Sequence, residues 1–393
     1  MKKIIIVAVT VIACLCMAPV TEAATLDEVK ELVALYYYGE KPATIQKART
    51  IDEIIRQLDE YSVYMTPAEY KEYLEQYASA GTVRQVASTV PPVDNGKNVQ
   101  SHMMYGNTGY LKIKTFSAHL LEDVTDHWGK LKAQGAQKLV VDLRFNGGGY
   151  VESAEQLLGF FPKVKDAYKL KTRTGIESAQ AIPAKNKFPD KTYVLVNRFS
   201  ASASEIVAVS VMDQKAAVVV GEKTKGKGSV QSLFELENGG ALKLTTGHYT
   251  GPKGTPVHHK GVEPSVQMRP GTELTGLHKR LITDELTSKS YRQLKGPSNV
   301  SKQKVFNVRF TQPMDFGSAK SFDKMELIKF GGVSIPVTKK QVNDKTMMIH
   351  PVKLMQPDAE YMLVIHPGIQ SVKGPSVKYG TFTTYKVQPA KTK

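Results

Sequence analysis

The chain has 393 residues, and its 53 Lys and Arg against 37 Asp and Glu give a net charge of +16. This length predicts two or three domains, and a composition with 41% hydrophobic and 23% charged residues excludes wholesale disorder and a polytopic membrane protein. Both cysteines, Cys14 and Cys16, lie in an N-terminal apolar stretch. A chain cleaved after that stretch contains no cysteine, which excludes disulfide scaffolds, cysteine-ligated zinc and thiol catalysis.

The N-terminal stretch has the pattern of an export signal. Lys2-Lys3 precede a mostly apolar run over residues 4–20, and Thr21-Glu22-Ala23 offers a small-x-small cleavage site. We expect residues 1–23 to be a signal peptide. Two alternatives stay open: a retained membrane anchor, because the run is only just short of a spanning helix, and lipidation at Cys14. All three place the folded chain in the cell envelope or outside it, beyond the cytoplasmic membrane.

The positive charge is concentrated near the C-terminus. Residues 301–393 contain 15 Lys and Arg against 6 Asp and Glu, a net charge of +9. This indicates a solvated lysine-rich surface or contact with an anionic cell-wall polymer or membrane surface. Nucleic acid is not expected as a partner, because the chain has no zinc-finger, helix-turn-helix or aromatic-interleaved basic pattern. A homodimer is an open alternative.

In chain order, the first region is helical. Three capping boxes, beginning at Thr25, Thr50 and Thr66, predict three helix starts within residues 24–78. Residues 79–101 are polar and carry Pro91-Pro92, and we interpret them as a connector.

Residues 102–270 alternate between strand and helix patterns, which predicts a layered α/β core. The predicted strands are 109–116, 138–143, 193–196 and 217–220, the helices are 120–131, 153–161 and 202–212, and Asn238-Gly239 predicts a hairpin between 229–236 and 241–248. Residues 271–298 indicate a helix followed by a linker. From residue 299 to 393, short strands at regular spacing predict a small β-sandwich. The predicted strands there are 305–310, 325–330, 347–350, 361–366 and 380–385.

Three segments place reactive or backbone groups at the ends of buried strands. Residues 142–149 end in three glycines, which let a substrate approach backbone N–H groups. Residues 197–205 bring serines to the start of a helix, where N–H groups stabilise an oxyanion. Residues 221–231 carry a lysine between two glycines. A lysine acts as a base only when neutral, so its pKa must fall by roughly three units, which burial can supply.

Taken together, these segments resemble the C-terminal processing peptidases, also called tail-specific proteases. The family's D-L-R-x-N-G-G-G, S-A-S-A-S-E and T-x-G-K-G-x-V-Q segments occur in order at 142–149, 200–205 and 224–231. Residues 58–66 also resemble the family's N-terminal helical region, so the resemblance covers about residues 50–268. It implies a crotonase-like α/β core joined to an N-terminal helical unit.

The resemblance also implies the roles of single residues. Ser202 would be the nucleophile of a serine endopeptidase, Lys227 its base, and Gln231 the residue that orients the lysine amine. The N–H groups of Gly148 and Ala203 would form the oxyanion hole. Protein or peptide substrates are implied, with an acyl-enzyme intermediate and no metal or cofactor.

Two further features complete the expectations. Family members usually insert a PDZ domain between the helical region and the core, and residues 79–101 are too few for one, so we expect no PDZ domain. The sandwich over 299–393 resembles a bacterial Ig-like module, which implies binding or spacing and no chemistry. The alternatives are a non-catalytic binding or scaffold protein on the same fold and a structural protein of the cell wall.

Overall fold

The computed structural model describes residues 22–78, 98–297, 299–317, 321 and 323–390. The predicted signal peptide up to residue 21, with Cys14, lies outside the described residues, and so do residues 79–97 of the predicted connector. Across the described ranges, no helix is both long and apolar enough to cross a bilayer.

Seven α-helices, one 3₁₀ helix (Ile45–Lys47) and twenty strands are described. The helices are α1 (Glu22–Tyr36), α2 (Ile51–Ile55), α3 (Pro67–Ala78), α4 (Leu120–Ala133), α5 (Val151–Leu158), α6 (Ala203–Asp213) and α7 (Glu273–Ser288). The strands up to residue 267 are β1 (Val63–Met65), β2 (Val99–Met104), β3 (Thr108–Ile113), β4 (Lys138–Asp142), β5 (Asp166–Thr172), β6 (Gly175–Gln180), β7 (Thr192–Val196), β8 (Val218–Gly221), β9 (Ser229–Glu235), β10 (Ala241–Thr250) and β11 (Val266–Gln267). The C-terminal strands are β12 (Arg292–Gln293), β13 (Asn299–Val300), β14 (Phe306–Arg309), β15 (Met325–Lys329), β16 (Ser334–Ile335), β17 (Val337–Asn343), β18 (Thr346–Pro351), β19 (Glu360–Ile365) and β20 (Thr381–Val387).

The described residues form two compact units. The first contains residues 22–78, 171–175 and 229–248, and the second contains residues 98–170, 176–228 and those from 249 onward. The predicted division assigned 229–248 to the α/β core. They cluster with the N-terminal helices because β10 pairs antiparallel with β1 and their leucines enter the same apolar core.

In the first unit, the helices pack on a short antiparallel sheet. Two of the three predicted capping boxes are confirmed as helix starts, and at α3 the bonds are reciprocal between Thr66 and Glu69, at 2.8 Å and 3.3 Å. Helix α1 begins at Glu22, so Thr25 lies inside it. The predicted hairpin is confirmed as β9 and β10. The core of this unit consists of buried apolar side chains, namely Val29, Val33, Tyr37, Ile45, Ala48, Ile54, Leu236, Leu242 and Leu244.

In the second unit, a six-stranded sheet forms the α/β core. Its strand order is β11-β8-β7-β4-β3-β2, and every pair except β2–β3 is parallel. The predicted strands at 138–143, 193–196 and 217–220 are confirmed as β4, β7 and β8. Strand β2 begins at Val99, so the last three residues of the predicted connector belong to the sheet. Because β4, β7 and β8 are parallel, the three segments with candidate chemistry leave the same edge of the sheet.

Helix α7 is shared between this sheet and the C-terminal domain. One side, through Leu277 and Leu281, packs on the sheet, and the other, through Ile282 and Leu286, packs on β15, β19 and β20. His278 is buried within this contact. Its Nε2 lies 3.0 Å from the carbonyl oxygen of Tyr105, and its Nδ1 accepts the N–H of Gly331 at 2.9 Å.

The C-terminal domain is a β-sandwich, as predicted. One sheet has the order β12-β20-β19-β15-β16, with β13 on β20, and the other has the order β14-β18-β17. All five predicted strands are confirmed, as β14, β15, β18, β19 and β20. Residues 292–293, predicted as part of a helix over 271–295, instead form β12 and pair with β20, so the sandwich begins immediately after α7.

Candidate active site

Ser202 lies at the turn between β7 and α6. It is the N-cap of α6 and has φ 55° and ψ −117°, in a left-handed region that side-chain-bearing residues rarely adopt. Such strain persists only where the surroundings hold it, and it is concentrated at functional sites. The following helix adds the positive end of its dipole beside the hydroxyl.

Glu205 holds the backbone of this turn. Its Oε2 accepts the N–H of Ser202 at 3.0 Å and the N–H of Lys227 at 2.8 Å. Its Oε1 accepts the Thr224 hydroxyl at 2.5 Å and the N–H of Gly226 at 2.6 Å. Burial raises the pKa of the Glu205 carboxyl, and the four donors oppose that shift by stabilising the ionised form. A single carboxylate therefore joins the serine turn to the lysine loop.

Tyr249 holds the same two residues from their carbonyl side. Its buried hydroxyl lies 3.0 Å from the carbonyl oxygen of Ser202 and 3.0 Å from that of Lys227. Burial raises the pKa of Tyr249 well above its ordinary value, so the phenol keeps its proton for these carbonyls. Ser202 and Lys227 are thus adjacent through both their N–H and their C=O groups.

Lys227 is enclosed, as the flanking glycines predicted. Only 5% of its surface is exposed. A Cβ at Gly228 would lie 2.4 Å from the backbone nitrogen of His258, so only glycine lets the loop with His258 and His259 close over this segment. The N–H of His259 donates to the carbonyl oxygen of Gly226 at 2.9 Å. This loop therefore packs against the backbone on both sides of Lys227.

Gly148 approaches Ser202 closely. Its φ is 110°, and a Cβ there would lie 2.8 Å from the Ser202 Cβ and 2.9 Å from the Ala201 carbonyl oxygen. Its N–H donates to Asn146 Oδ1 at 2.9 Å in this structure, and its role as an oxyanion donor stays a prediction. Within the described residues the N–H of Ala203, at the start of α6, has no hydrogen-bond partner. In this structure Ala203 supplies the open donor of the predicted pair.

The neighbouring serines, Ser200 and Ser204, bond to backbone carbonyls. The Ser200 hydroxyl donates to the carbonyl oxygen of Leu143 at 2.8 Å, and the Ser204 hydroxyl donates to that of Asn146 at 2.9 Å. Asn146 is fully buried and also accepts the N–H of Ala201. These bonds fasten the glycine loop to the serine turn.

A buried ion-pair network anchors the end of β4. Asp142 accepts hydrogen bonds from Arg144 and Tyr110, and its Oδ1 lies 3.3 Å from Lys112 Nζ. Arg144 also pairs with Glu273 at 2.7 Å. Burial alone would raise the pKa of Asp142, but the Arg144 bonds and the Lys112 charge outweigh it and hold the pKa below its ordinary value. Asp142 and Arg144 therefore have a structural role at the end of β4.

Gln231 lies on β9, in the first unit. It is buried, and its Nε2 donates to the hydroxyls of Ser229 at 3.0 Å and Thr245 at 3.1 Å. These two bonds fix the orientation of the amide. Its role toward the lysine amine stays a prediction.

Several residues of the site had no predicted role. Glu205 and Thr224 lie inside the recognised motifs, but their function depends on hydrogen bonds between segments about 20 residues apart. Asn146 likewise belongs to a motif without an assigned role. For Tyr249, the sequence offered no sign of a role beyond its position directly after the predicted strand 241–248. Among the described residues, no group of three or more His, Cys, Asp or Glu is arranged to hold a metal ion.

Comparison with known proteins finds C-terminal processing proteases among the relatives of this chain. The carboxy-terminal processing protease CtpA of Bacillus subtilis is 33% identical over 172 residues, covering 44% of this chain and 37% of that protein. The carboxyl-terminal-processing protease of Synechocystis is 31% identical over 226 residues, covering 54% of this chain and 51% of that protein. The chain thus spans 37% and 51% of the length of these two relatives.

Comparison with solved structures also finds a C-terminal processing protease. The photosystem II D1 C-terminal processing protease matches with a TM-score of 0.52 at 18% identity, covering 64% of this chain and 94% of that one. Residues 107–268 match the model of Peptidase family S41, and residues 285–384 match that of the bacterial Ig-like domain. The chain therefore contains a peptidase family S41 domain followed by a bacterial Ig-like domain.

Proposed function

We propose that this protein is a serine endopeptidase of the C-terminal processing type, with Ser202 as nucleophile and Lys227 as general base. The supporting observation is the double connection between these two residues, through the Glu205 carboxylate and the Tyr249 hydroxyl. The matching family and relatives support the peptidase class.

The proposed reaction proceeds through an acyl-enzyme. The neutral amine of Lys227 takes the hydroxyl proton as Ser202 Oγ attacks the carbonyl carbon of the scissile bond. The resulting ammonium then gives this proton to the leaving nitrogen, the C–N bond breaks, and an ester to Ser202 remains. Water, deprotonated by the same amine, attacks the ester and releases the acid product and the free serine.

The charge that develops on the substrate oxygen needs donors. Ala203 has a free N–H at the start of α6, where the helix dipole also favours an anion. Gly148 would contribute only after its N–H exchanges Asn146 for the oxyanion. We propose that Gln231, whose Nε2 is held by Ser229 and Thr245, presents its carbonyl oxygen to the lysine amine.

The remaining parts of the chain fit an exported protein. We propose that residues 1–23 direct export and that the Ig-like domain, with its net charge of +9 over residues 301–393, keeps the enzyme near anionic wall or membrane surfaces. The substrates would be proteins or peptides in the envelope. A homodimer is compatible with this proposal and is not required by it.

The test uses the full mature chain with an active-site serine probe of the fluorophosphonate type and an unstructured peptide. We expect Ser202 to be labelled, the peptide to be hydrolysed, and both to be lost in Ser202→Ala. Ser288→Ala, whose hydroxyl only caps the carbonyl of Glu285 at the end of α7, is the matched control. A folded wild-type chain that neither labels nor hydrolyses any peptide of a diverse library would support a binding or scaffold protein instead.

A further inference from the structure

Two phenylalanines lie exposed beside the proposed active site. Phe145 is 67% exposed and Phe199 is 51% exposed, although both are large apolar side chains. Their rings stack on each other, with centroids 5.4 Å apart and planes inclined by 20°. We call these two residues the aromatic pair. It presents a continuous apolar surface to the outside.

Backbone conformation and hydrogen bonds fix the positions of both phenylalanines. Phe145 has φ 63°, a left-handed conformation that is strained for a bulky side chain. The side-chain oxygen of Asn197, a buried residue, accepts the N–H of Phe145 at 3.0 Å and the N–H of Phe199 at 3.2 Å. One amide therefore fixes both phenylalanines, and a strained conformation is maintained to keep one of them exposed.

The pair lies on the two loops that meet at the nucleophile. Phe145 precedes Gly148 by three residues, and Phe199 precedes Ser202 by three residues. Gly148 and Ser202 lie side by side, since a Cβ built on Gly148 would lie 2.8 Å from the Ser202 Cβ. The aromatic pair therefore lies on the two loops that a polypeptide bound at Ser202 would meet.

Two cationic side chains border the aromatic pair, and they differ in whether their charge is already paired. Lys112 Nζ lies 5.9 Å from the Phe145 ring centroid, but it is bonded to Asp142 and to the Arg144 carbonyl. The Arg198 guanidinium lies 5.3 Å from the Phe199 centroid and is exposed. Within the described residues, Arg198 forms no ion pair. Its charge is available to a carboxylate.

We infer that the aromatic pair and Arg198 form a specificity site for the peptide substrate, which binds a large apolar side chain near the scissile bond and a carboxylate beside it. The inference rests on the proposed function and adds a substrate class to it. Apolar surface on the rings gains from burial against an aromatic or aliphatic side chain, and the adjacent guanidinium selects an acidic neighbour. An anionic membrane surface has the same two features, but the position on the catalytic loops favours the peptide.

The test first measures binding without catalysis. Fluorescence anisotropy on the full chain carrying Ser202→Ala compares the binding of four labelled unstructured peptides. The peptides are identical except at one pair of adjacent positions, which is Leu-Glu, Leu-Gln, Ser-Glu or Ser-Gln. We expect Leu-Glu to bind at least tenfold more tightly than Ser-Gln, with the other two between. Phe145→Asn and Phe199→Asn should abolish the preference for Leu, and Arg198→Gln should abolish the preference for Glu. Asparagine tolerates the left-handed backbone at position 145.

Hydrolysis then separates this site from the chemistry. In the active chain, the same variants should raise KM for the Leu-Glu peptide tenfold or more and leave serine-probe labelling within twofold. The matched controls are Val352→Asn and Arg309→Gln, exposed residues of the Ig-like domain. Equal binding of all four peptides would overturn the inference even if hydrolysis proceeds. So would variants that lose binding to phosphatidylglycerol vesicles while their KM is unchanged, since the pair would then be a membrane contact.

Discussion

The backbone N–H groups of Ser202 and Lys227 point at one oxygen atom, at 3.0 Å and 2.8 Å. The proposed nucleophile and its proposed base, 25 positions apart in the chain, are therefore held by an acceptor that belongs to neither of them. That oxygen is Oε2 of Glu205, so we expect the position of the proposed pair to depend on a residue that need not touch the substrate.

Glu205→Gln is the direct test of this arrangement. The amide keeps one acceptor oxygen but places an NH₂ group against two of the four donors. We expect kcat/KM to fall about a hundredfold, since displacements near 1 Å at reacting groups have effects of this size. Stability should fall by about 1–3 kcal/mol, because buried donors lose their acceptor. The exposed Glu152 on α5 provides the control, as Glu152→Gln. A fully active Glu205→Gln chain would show that Glu205 does not position the pair.

Substitution of the base and of the flanking serines separates chemistry from structure. Lys227→Ala should abolish hydrolysis, as Ser202→Ala does, because both side chains act as one unit. Ser200→Ala and Ser204→Ala should keep at least a tenth of the activity and lose about 1 kcal/mol of stability, because their hydroxyls bond to backbone carbonyls. Peptide turnover and urea unfolding measure the two effects. Turnover above about a tenth of wild type in Lys227→Ala contradicts the dyad.

The pH dependence of hydrolysis follows from the base. A lysine amine accepts the serine proton only in its neutral form, so acidification protonates it and removes activity, and kcat/KM should rise with pH. Chelators should have no effect on the rate. The profile is measured on one peptide, with probe labelling of Ser202 as the parallel readout. A rate that falls as pH rises, or that EDTA abolishes, would transfer the chemistry to another group.

The lowered pKa of Asp142 predicts that the free energy of unfolding decreases in acid. Its pKa lies below the ordinary 3.8, so its contribution is complete above that pH and is lost as the pH falls through the lower, folded-state value. Asp142→Asn should cost about 3 kcal/mol at pH 7, because it leaves Arg144 and Lys112 with a neutral partner in a buried site. Urea unfolding at pH 7 and pH 3 should show this difference shrinking in acid.

The matched control for Asp142 is Asp126→Asn. Asp126 pairs with Lys130 on the exposed face of α4 at 2.6 Å, and such pairs contribute about 0.5 kcal/mol or less. A pH-independent cost at Asp142 would mean that its shape, rather than its charge, stabilises the end of β4.

Removal of the Ig-like domain should lower the stability of the remaining chain more than it lowers the rate of hydrolysis. Ile282 and Leu286 on α7 are 3% and 5% exposed because β15, β19 and β20 cover them. A chain ending at residue 298 exposes this side of α7, and we expect a lower Tm and binding of an apolar dye. Ile282→Lys with Leu286→Lys in the truncated chain should reduce the dye binding. A truncated chain with unchanged Tm would show that the domain is a detachable tail.

Local patterns in the sequence were sufficient to predict four strands of the core sheet (β3, β4, β7 and β8), the helix capped by Ser202 and five strands of the sandwich. Each of these depends on periodicity or on a turn within a few residues, which the chain carries locally. The order of the three glycine-, serine- and lysine-bearing segments also indicated the family. Strand β17 was missed because its side chains are mostly exposed and carry no alternating apolar pattern.

Tertiary structure decided what depends on contacts between distant segments. The pairing of β1 with β10 placed residues 229–248 with the N-terminal helices, and the position of α7 between two sheets joined the core to the Ig-like domain. The N–H of Gly148 donates to Asn146, and the Tyr249 hydroxyl contacts the carbonyl oxygens of Ser202 and Lys227. A hydrogen bond needs its two atoms within about 3 Å, and residues far apart in the chain come that close only through the folded backbone.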